Sequence, residues 1–256
     1  QQEGKTPEQV AMEYHKINSD SIERMGISFD LFSHTHTEEH AEVALSILKK
    51  LDDNGYIEPR ISEEPYDPIA NQFLPDRYVE GTCPYCNYVS ARGDQCDDCG
   101  KTLDSKELVN PRSKLNPDAK IEFRETEHLF FKLSEFRDVL LEWLSEGKGH
   151  WRPSVINFTR NWLKEGLIDR AVTRDLDWGI EIPREGYENK RMYVWFEAVM
   201  GYYSASVHWA KNQGKPDEWK KWWENEDSEH YYFMAKDNIP FHTIIWPAML
   251  SGCGYK

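Results

Sequence analysis

The sequence predicts an α/β fold: parallel βα units with helices packed on the sheet, and a loop-rich segment that folds around a metal. Three observations predict it. Four of the five cysteines fall in one run, Cys83, Cys86, Cys96 and Cys99, with the spacing C-x2-C-x9-C-x2-C. The last third alternates strand-like and helix-like runs, the order expected of parallel βα units. Between residues 56 and 132 the helical period disappears, while amphipathic helices flank that stretch on both sides.

The first helix is announced by Thr6-Pro7-Glu8-Gln9, an N-cap followed by proline at N1 and a glutamine placed to close a capping box. It is expected to reach Gly26, with Val10, Tyr14, Ile17 and Met25 on one side. A second helix is signalled from Thr37, with Ala41, Ala44, Leu45 and Leu48 at i, i+3, i+4 spacing, and Asn54-Gly55 ends it. His34, His36 and His40 lie near its start. With no carboxylate or cysteine set beside them, they read as loop and first-turn histidines on a solvated edge. Short β-type runs at 56–62, 120–124 and 127–132 flank the cysteines. Helices resume at Ser134, with Phe136, Val139, Leu140, Trp143 and Leu144 in one stripe, and at Pro153, with Val155, Phe158, Trp162 and Leu163 in another. Residues 191–198 (RMYVWFEA) then read as a strand leading into a helix through Gly201 and Tyr202. Residues 229–236 (EHYYFMAK) read as a second strand, followed by a helix from Asn238-Ile239-Pro240. Ligands of such sheets gather where strands end and helices begin, which points to residues 194–202 and 236–246.

Each C-x-x-C hook turns two thiolates toward one point, and the nine-residue link lets the hooks face each other. Zn²⁺ accepts four thiolates in a closed tetrahedral shell, a structural rather than catalytic arrangement. Two disulfides or an iron–sulfur cluster would use the same sulfurs, but hooks of this spacing in a chain without secretory features read as zinc. Cys253 stands apart, and a reducing, cytoplasmic setting fits. The 256 residues carry a net charge of −14, with 13% aromatic residues and ten Trp. That excludes a disordered chain, and so acidic a surface would repel a phosphate backbone away from local basic patches. No apolar run approaches bilayer length, and no membrane partner is expected. The chain opens on Gln1 rather than Met, as a piece of a longer protein would.

Taken in order, Phe73-Leu74-Pro75-Asp76-Arg77, the cysteine run, Glu127-His128-Leu129-Phe130-Phe131, Arg174-Asp175, Val194-Trp195 with Gly201-Tyr202, Lys236-Asp237-Asn238-Ile239-Pro240-Phe241-His242 and Trp246-Pro247-Ala248 are the markers of one family. The chain resembles the methionyl-tRNA synthetases, class I aminoacyl-tRNA synthetases, over nearly all its length. The resemblance implies a Rossmann-like parallel sheet with a zinc-knuckle connective-peptide domain inserted in it. It implies ATP-dependent activation of L-methionine to methionyl-adenylate and transfer to the 3′ end of tRNA. Trp195, Ala198, Tyr202, Asn238, His242 and Trp246 fall at the family's methionine-pocket positions, with Tyr202 and His242 as donors near the sulfur and the two tryptophans as walls. Arg174 falls near the substrate carboxylate and phosphates as the catalytic residue, and Lys236 and Asp237 fall at the ATP, Asp237 on its ribose. ATP with Mg²⁺ is then the co-substrate, and Zn²⁺ held by Cys83, Cys86, Cys96 and Cys99 the structural metal. Val199 stands where bacterial members have proline.

The family's HIGH motif and KMSKS loop are not in this sequence, so an internal fragment, inactive alone, is expected. Its parts would be the end of the first half of the catalytic domain (1–53), the connective-peptide domain (54–190, knuckle 83–99) and the start of the second half (191–256). Two other readings compete: a leucine, isoleucine or valine synthetase, which would need a larger editing insertion, and a zinc-ribbon module that binds nucleic acid or protein without catalysis.

Overall fold

The computed structural model describes residues 4–93, 96–99 and 103–255, apart from the side chains of Asp76 and Asp237. The expected capping box forms: Thr6 and Gln9 exchange hydrogen bonds at the start of α1 (Pro7–Arg24). That helix buries no residue fully, and its His15 ring stacks on Phe32 at 5.0 Å. Thr37 caps α2 (Glu38–Asp53), which drives Val43, Ala44, Ile47, Leu48 and Leu51 into the core.

The backbone of the molecule is a long antiparallel ribbon. Strand β1 (Ile57–Asp67) pairs with β6 (Glu122–Phe131) without a break from Ile57↔Phe131 to Tyr66↔Glu122. Between these strands in sequence lie β2 (Gln72–Phe73), β3 (Val79–Thr82), β4 (Ala91–Arg92) and β5 (Val109–Ser113). Pro59 and Pro65 sit in β1, where proline cannot donate to a ladder. Accordingly β1 meets a strand on its other edge only at Tyr66 and Asp67, opposite β2. The buried Asp67 closes this far end. It accepts from the N–H groups of Ile69 and Ala70, from Ser113 Oγ and from Asn116 Nδ2, at 2.9 to 3.0 Å. Strands β3, β4 and β5 form a separate small sheet around the cysteine run.

After β6 come α3 (Arg137–Ser145), α4 (Pro153–Glu165), β7 (Arg170–Ala171), β8 (Thr173–Asp175), β9 (Lys190–Met192), α5 (Val194–Glu197), α6 (Gly201–Asn212) and α7 (Lys220–Trp223). Gly147 and Gly166, both at positive φ, stop α3 and α4 where the sequence places their ends. A π-helical turn, Phe241–Ile245, leads directly into α8 (Trp246–Gly252). The Trp246 N–H reaches back five residues to the Phe241 carbonyl. Pro247 supplies the reason: its ring crowds the carbonyl four residues earlier and offers no N–H, so the helix widens there.

Two apolar cores result. The main one joins α2, the near end of the ribbon (Ile57, Leu129, Phe131), α3, α4, α5, α6 and α8. Gly252 marks its tightest point, where a Cβ would sit 2.6 Å from Leu51 Cδ2 and 2.9 Å from Phe136 Cζ. The smaller core holds Leu74, Val79, Cys83, Ala91, Cys96, Leu103, Leu108 and Ile121. The main core draws on residues either side of 53/54 and 190/191, and the segment around the knuckle has a core of its own.

The strands expected at 191–198 and 229–236 do not form a parallel pair. All strand pairings among the described residues are antiparallel. Of 191–198 only the first residues join a strand, β9, which pairs antiparallel with β8. Tyr193 then caps α5, because Trp195, Ala198 and Tyr202 on one side and Phe196, Met200 and Tyr203 on the other follow the helical period. Residues 229–235 are in neither helix nor strand, and Tyr231 and Phe233 are exposed there. β propensity becomes a strand only where a neighbour accepts the ladder.

The ribbon is tied to β8 and β9 by a half-buried polar cluster. Lys190 Nζ lies 2.7 Å from both Asp175 Oδ1 and Thr126 Oγ1, and His128 Nε2 stands 3.3 Å from Asp175 Oδ2. Burial works to raise the Asp175 pKa, but His128 and Lys190 outweigh it and bring it down to about 2. A carboxylate held below its ordinary value stabilises the fold above that value and loses this contribution as pH falls through the folded pKa. The wild type is therefore expected to lose about 2 kcal/mol between pH 5 and pH 2 that Asp175→Asn does not lose. Urea unfolding of both proteins across that range checks it, and parallel acid slopes would contradict it.

Candidate functional site

A cleft of 240 Å³ opens between the α5–α6 segment and the start of the π turn. Trp195, Ala198 and Tyr202 line one side because they share a helical face, three and four residues apart. Asn238, Phe241 and His242 line the other. The Trp195 ring lies 5.5 Å from that of Phe241. Val199, Phe233 and Met234 complete the wall.

The polar heart of the cleft has a fixed proton order. His242 Nδ1 is 2.8 Å from the Asn238 carbonyl oxygen, which can only accept, so Nδ1 carries the proton. Nε2 then accepts from the Tyr202 hydroxyl at 2.8 Å. Burial lowers the His242 pKa, with the Asn238 bond acting the other way, so the ring is neutral at pH 7. Burial likewise raises the Tyr202 pKa. The result is a neutral hydroxyl and imidazole in the wall of an aromatic cleft.

Five of the six residues expected around the methionine side chain meet at this cleft: Trp195, Ala198, Tyr202, Asn238 and His242. Trp246 does not line it. Its side chain is buried behind the cleft with its ring 5.9 Å from Trp223, because the π turn rotates the following residues relative to an α-helix. Arg174 lies elsewhere as well. Its guanidinium stacks over Tyr193 at 4.3 Å and donates to the Thr173 carbonyl, beside a narrow crevice shared with Glu64, His128 and Asp175. Lys236 is exposed at the start of a short 3-10 turn (Lys236–Asn238), and the side chain of Asp237 lies outside the described residues.

The four cysteine sulfurs lie within 4.8 Å of one another. Cys83 and Cys99 are 3.9 Å apart, and Cys86 and Cys96 are 3.6 Å apart. Four sulfurs each about 2.3 Å from one tetrahedral ion stand about 3.8 Å from each other, so the residues fit a bound metal. None is in a disulfide. Burial works to raise the Cys83 pKa, but the N–H groups of Tyr85 and Cys86 bring it down to about 7. At Cys86 the Tyr88 N–H favours the thiolate, yet burial and the neighbouring thiols push its pKa up to about 12. Four thiolates this close need a cation between them.

The model of the class I tRNA synthetases (M) matches residues 1–256. The chain belongs to this family. The methionine--tRNA ligase of Dehalococcoides mccartyi is 56% identical over 99% of the chain, and that of Thermomicrobium roseum 52% over 98%. The chain spans 45% and 43% of those relatives' own lengths. Among solved structures, methionyl-tRNA synthetase of Mycobacterium tuberculosis in complex with methionyl-adenylate superposes over 99% of the chain and 43% of its own, with TM-score 0.69 and 21% identity. The fold is therefore that of a class I synthetase, mixed α/β, with a group of four cysteines whose spacing suits a metal. The M-type family sets aside both the leucine, isoleucine and valine synthetases and a free-standing zinc ribbon.

In this synthetase chain, sequence reasoning missed Phe233, Met234, Phe241 and the buried His40. The first two read as faces of a strand, and no local signal marks them as cleft walls. His40 was expected on a solvated edge, yet it is fully buried and bonded to Glu197 and Ser204. Its place between Ala44 and the N-cap, on the buried face of α2, was the available signal.

One divalent metal ion per chain is expected on elemental analysis, and none in Cys96→Ser. Stripping it should speed hydrogen exchange around Tyr85 and Tyr88 and leave tryptophan emission unchanged, since every tryptophan lies outside the knuckle. A metal content unaffected by the substitution would contradict the assignment.

Proposed function

We propose that the chain is the methionine-binding and zinc-bearing portion of a cytoplasmic methionine–tRNA ligase. The whole enzyme activates L-methionine with ATP and Mg²⁺ and passes it to the 3′ end of tRNA. The single observation that carries the reading is the cleft: an aromatic cavity with one hydroxyl–imidazole pair, in a chain over half identical to a methionine--tRNA ligase. A thioether is a weak acceptor on a flexible, polarizable stem that packs well against aromatic rings. Trp195 and Phe241 supply such rings, and Ala198 leaves room for the stem.

Tyr202 supplies the donor. Its hydroxyl donates to His242 Nε2 in this structure, while the His242 Nδ1–H donates to the Asn238 carbonyl. Entry of methionine turns the Tyr202 hydroxyl from the imidazole to the sulfur. Activation itself is attack of the methionine carboxylate on the α-phosphate of ATP, with pyrophosphate leaving. The protein's part is to align the carboxylate and to stabilise charge on the phosphates. Within this chain Arg174, Lys236 and Asp237 are the residues assigned to that end, and Asn238 orders the imidazole. The cysteines would hold Zn²⁺, with a closed shell that gives it a structural role only. Residues 1–53 and 191–256 would serve the catalytic domain, and 54–190 the connective peptide.

The test compares methionine with norleucine, which matches its shape but carries no acceptor. In the full-length enzyme, Tyr202→Phe should raise the methionine KM about tenfold and barely move that of norleucine. Equal losses for both would make Tyr202 a packing residue. The chain alone should give no methionine-dependent ATP–pyrophosphate exchange, and robust exchange would show that the active site lies elsewhere.

A further inference from the structure

Next to the residues that line the cleft lies a second polar cluster. His40, in the first turn of α2, is 0% exposed. Its Nε2–H donates to Glu197 Oε2 at 2.6 Å, and its Nδ1 pairs with the Ser204 hydroxyl at 2.8 Å. Glu197 and Ser204 are themselves buried. Its backbone N–H is held by the Thr37 cap.

The two partners stand on either side of an irregularity. Glu197 is the last residue of α5, and Ser204 lies in the first turn of α6. Between them the chain tightens to a 3-10 turn over Ala198–Met200. That turn carries Ala198 and Val199 into the cleft, flanked by Trp195 and Tyr202. Glu197 and Ser204 are half a helical turn away from Trp195 and Tyr202, so they face α2 while the other two face the cavity. One imidazole therefore bridges both ends of the segment that shapes the cleft.

In order and distance the three side chains resemble a Ser–His–acid nucleophile, but Ser204 is 5% exposed and opens onto no cleft. The cluster also contributes little as glue. A buried polar pair commonly yields no more stability than well-packed apolar side chains of the same volume, whereas it does fix one geometry.

We propose that His40 is a positioning residue for the cleft: it clamps Glu197 and Ser204, and so fixes the spacing of Trp195, Ala198 and Tyr202 across the 3-10 turn. The proposal rests on the cleft being the methionine site, and its two readouts separate the clamp from that reading. The first is hydrogen exchange of the amides of residues 197–204 in the ligand-free chain, which requires no ligand. His40→Ala should speed it about tenfold or more while α4 and the ribbon keep their protection, and His40→Gln, which can still donate to Glu197, should restore part of it. Unchanged exchange at 197–204 overturns the clamp. The second is methionine activation by the full-length enzyme. His40→Ala should raise the methionine KM about tenfold, with the KM for ATP and kcat within about twofold, and His40→Ala with Glu197→Ala should be no worse than either alone. If exchange quickens but the methionine KM does not move, the clamp does not position the cleft and the proposal falls. If wild-type enzyme shows no methionine dependence, the reading of the cleft fails instead, and the exchange experiment still decides the clamp. Should His40→Ala not fold, Ser204→Ala removes one arm only, and the same two readouts are expected in milder form. A Ser204→Ala protein with wild-type exchange and KM overturns the proposal.

Discussion

The ladder between β1 and β6 is the constraint on which the rest of the molecule depends. At one end Ile57, Leu129 and Phe131 enter the main core; at the other, Asp67 gathers four donors and Ile121 enters the knuckle core. Because side chains alternate across a strand, a slip of one residue would turn Leu129 and Phe131 out of the core together. Neither core can therefore form in a wrong register without the other being affected. His128 and Thr126 on β6 reach Asp175 and Lys190, so the same ladder fixes β8 and β9 and, through them, the entry to α5.

What was legible in the sequence was local or combinatorial. The Thr6 and Thr37 caps, the stops at Gly147 and Gly166 and the pairing of the cysteine hooks follow from short-range stereochemistry and came out as read. The gathering of Trp195, Ala198, Tyr202, Asn238 and His242 around one cavity followed from motif order. The strands at 191–198 and 229–236 were not recoverable. Both runs are rich in aromatic residues, and a short aromatic run has no period long enough to separate strand from helix. What decides 193–203 is the burial of Phe196, Met200 and Tyr203 against the main core, a tertiary fact. The burial of Trp246 away from the cleft was within reach, since Pro247 beside it announces the widened turn.

Three junctions in this molecule are held by polar side chains. Asp67 joins the ribbon to β5, Asp175 joins it to β8 and β9, and His40 joins α2 to α5 and α6. Apolar contacts could hold these pieces together, but they are non-directional. A carboxylate with several donors tolerates one arrangement. The expense of burying it is concentrated where relative position matters, between the element that binds and the elements that support it.

The four sulfurs of the knuckle are not equivalent toward solvent. Cys83 and Cys96 are buried, whereas Cys99 is exposed. A metal held by this set is closed to substrate, since no coordination position is free, but it is not closed to exchange. A competing thiol or chelator can reach it at the Cys99 edge and take over one ligand position while the buried pair still holds on. Departure by successive replacement needs no prior opening of the knuckle core. How long such a site would keep a bound metal would then be set by competing ligands in solution rather than by how slowly the surrounding fold opens.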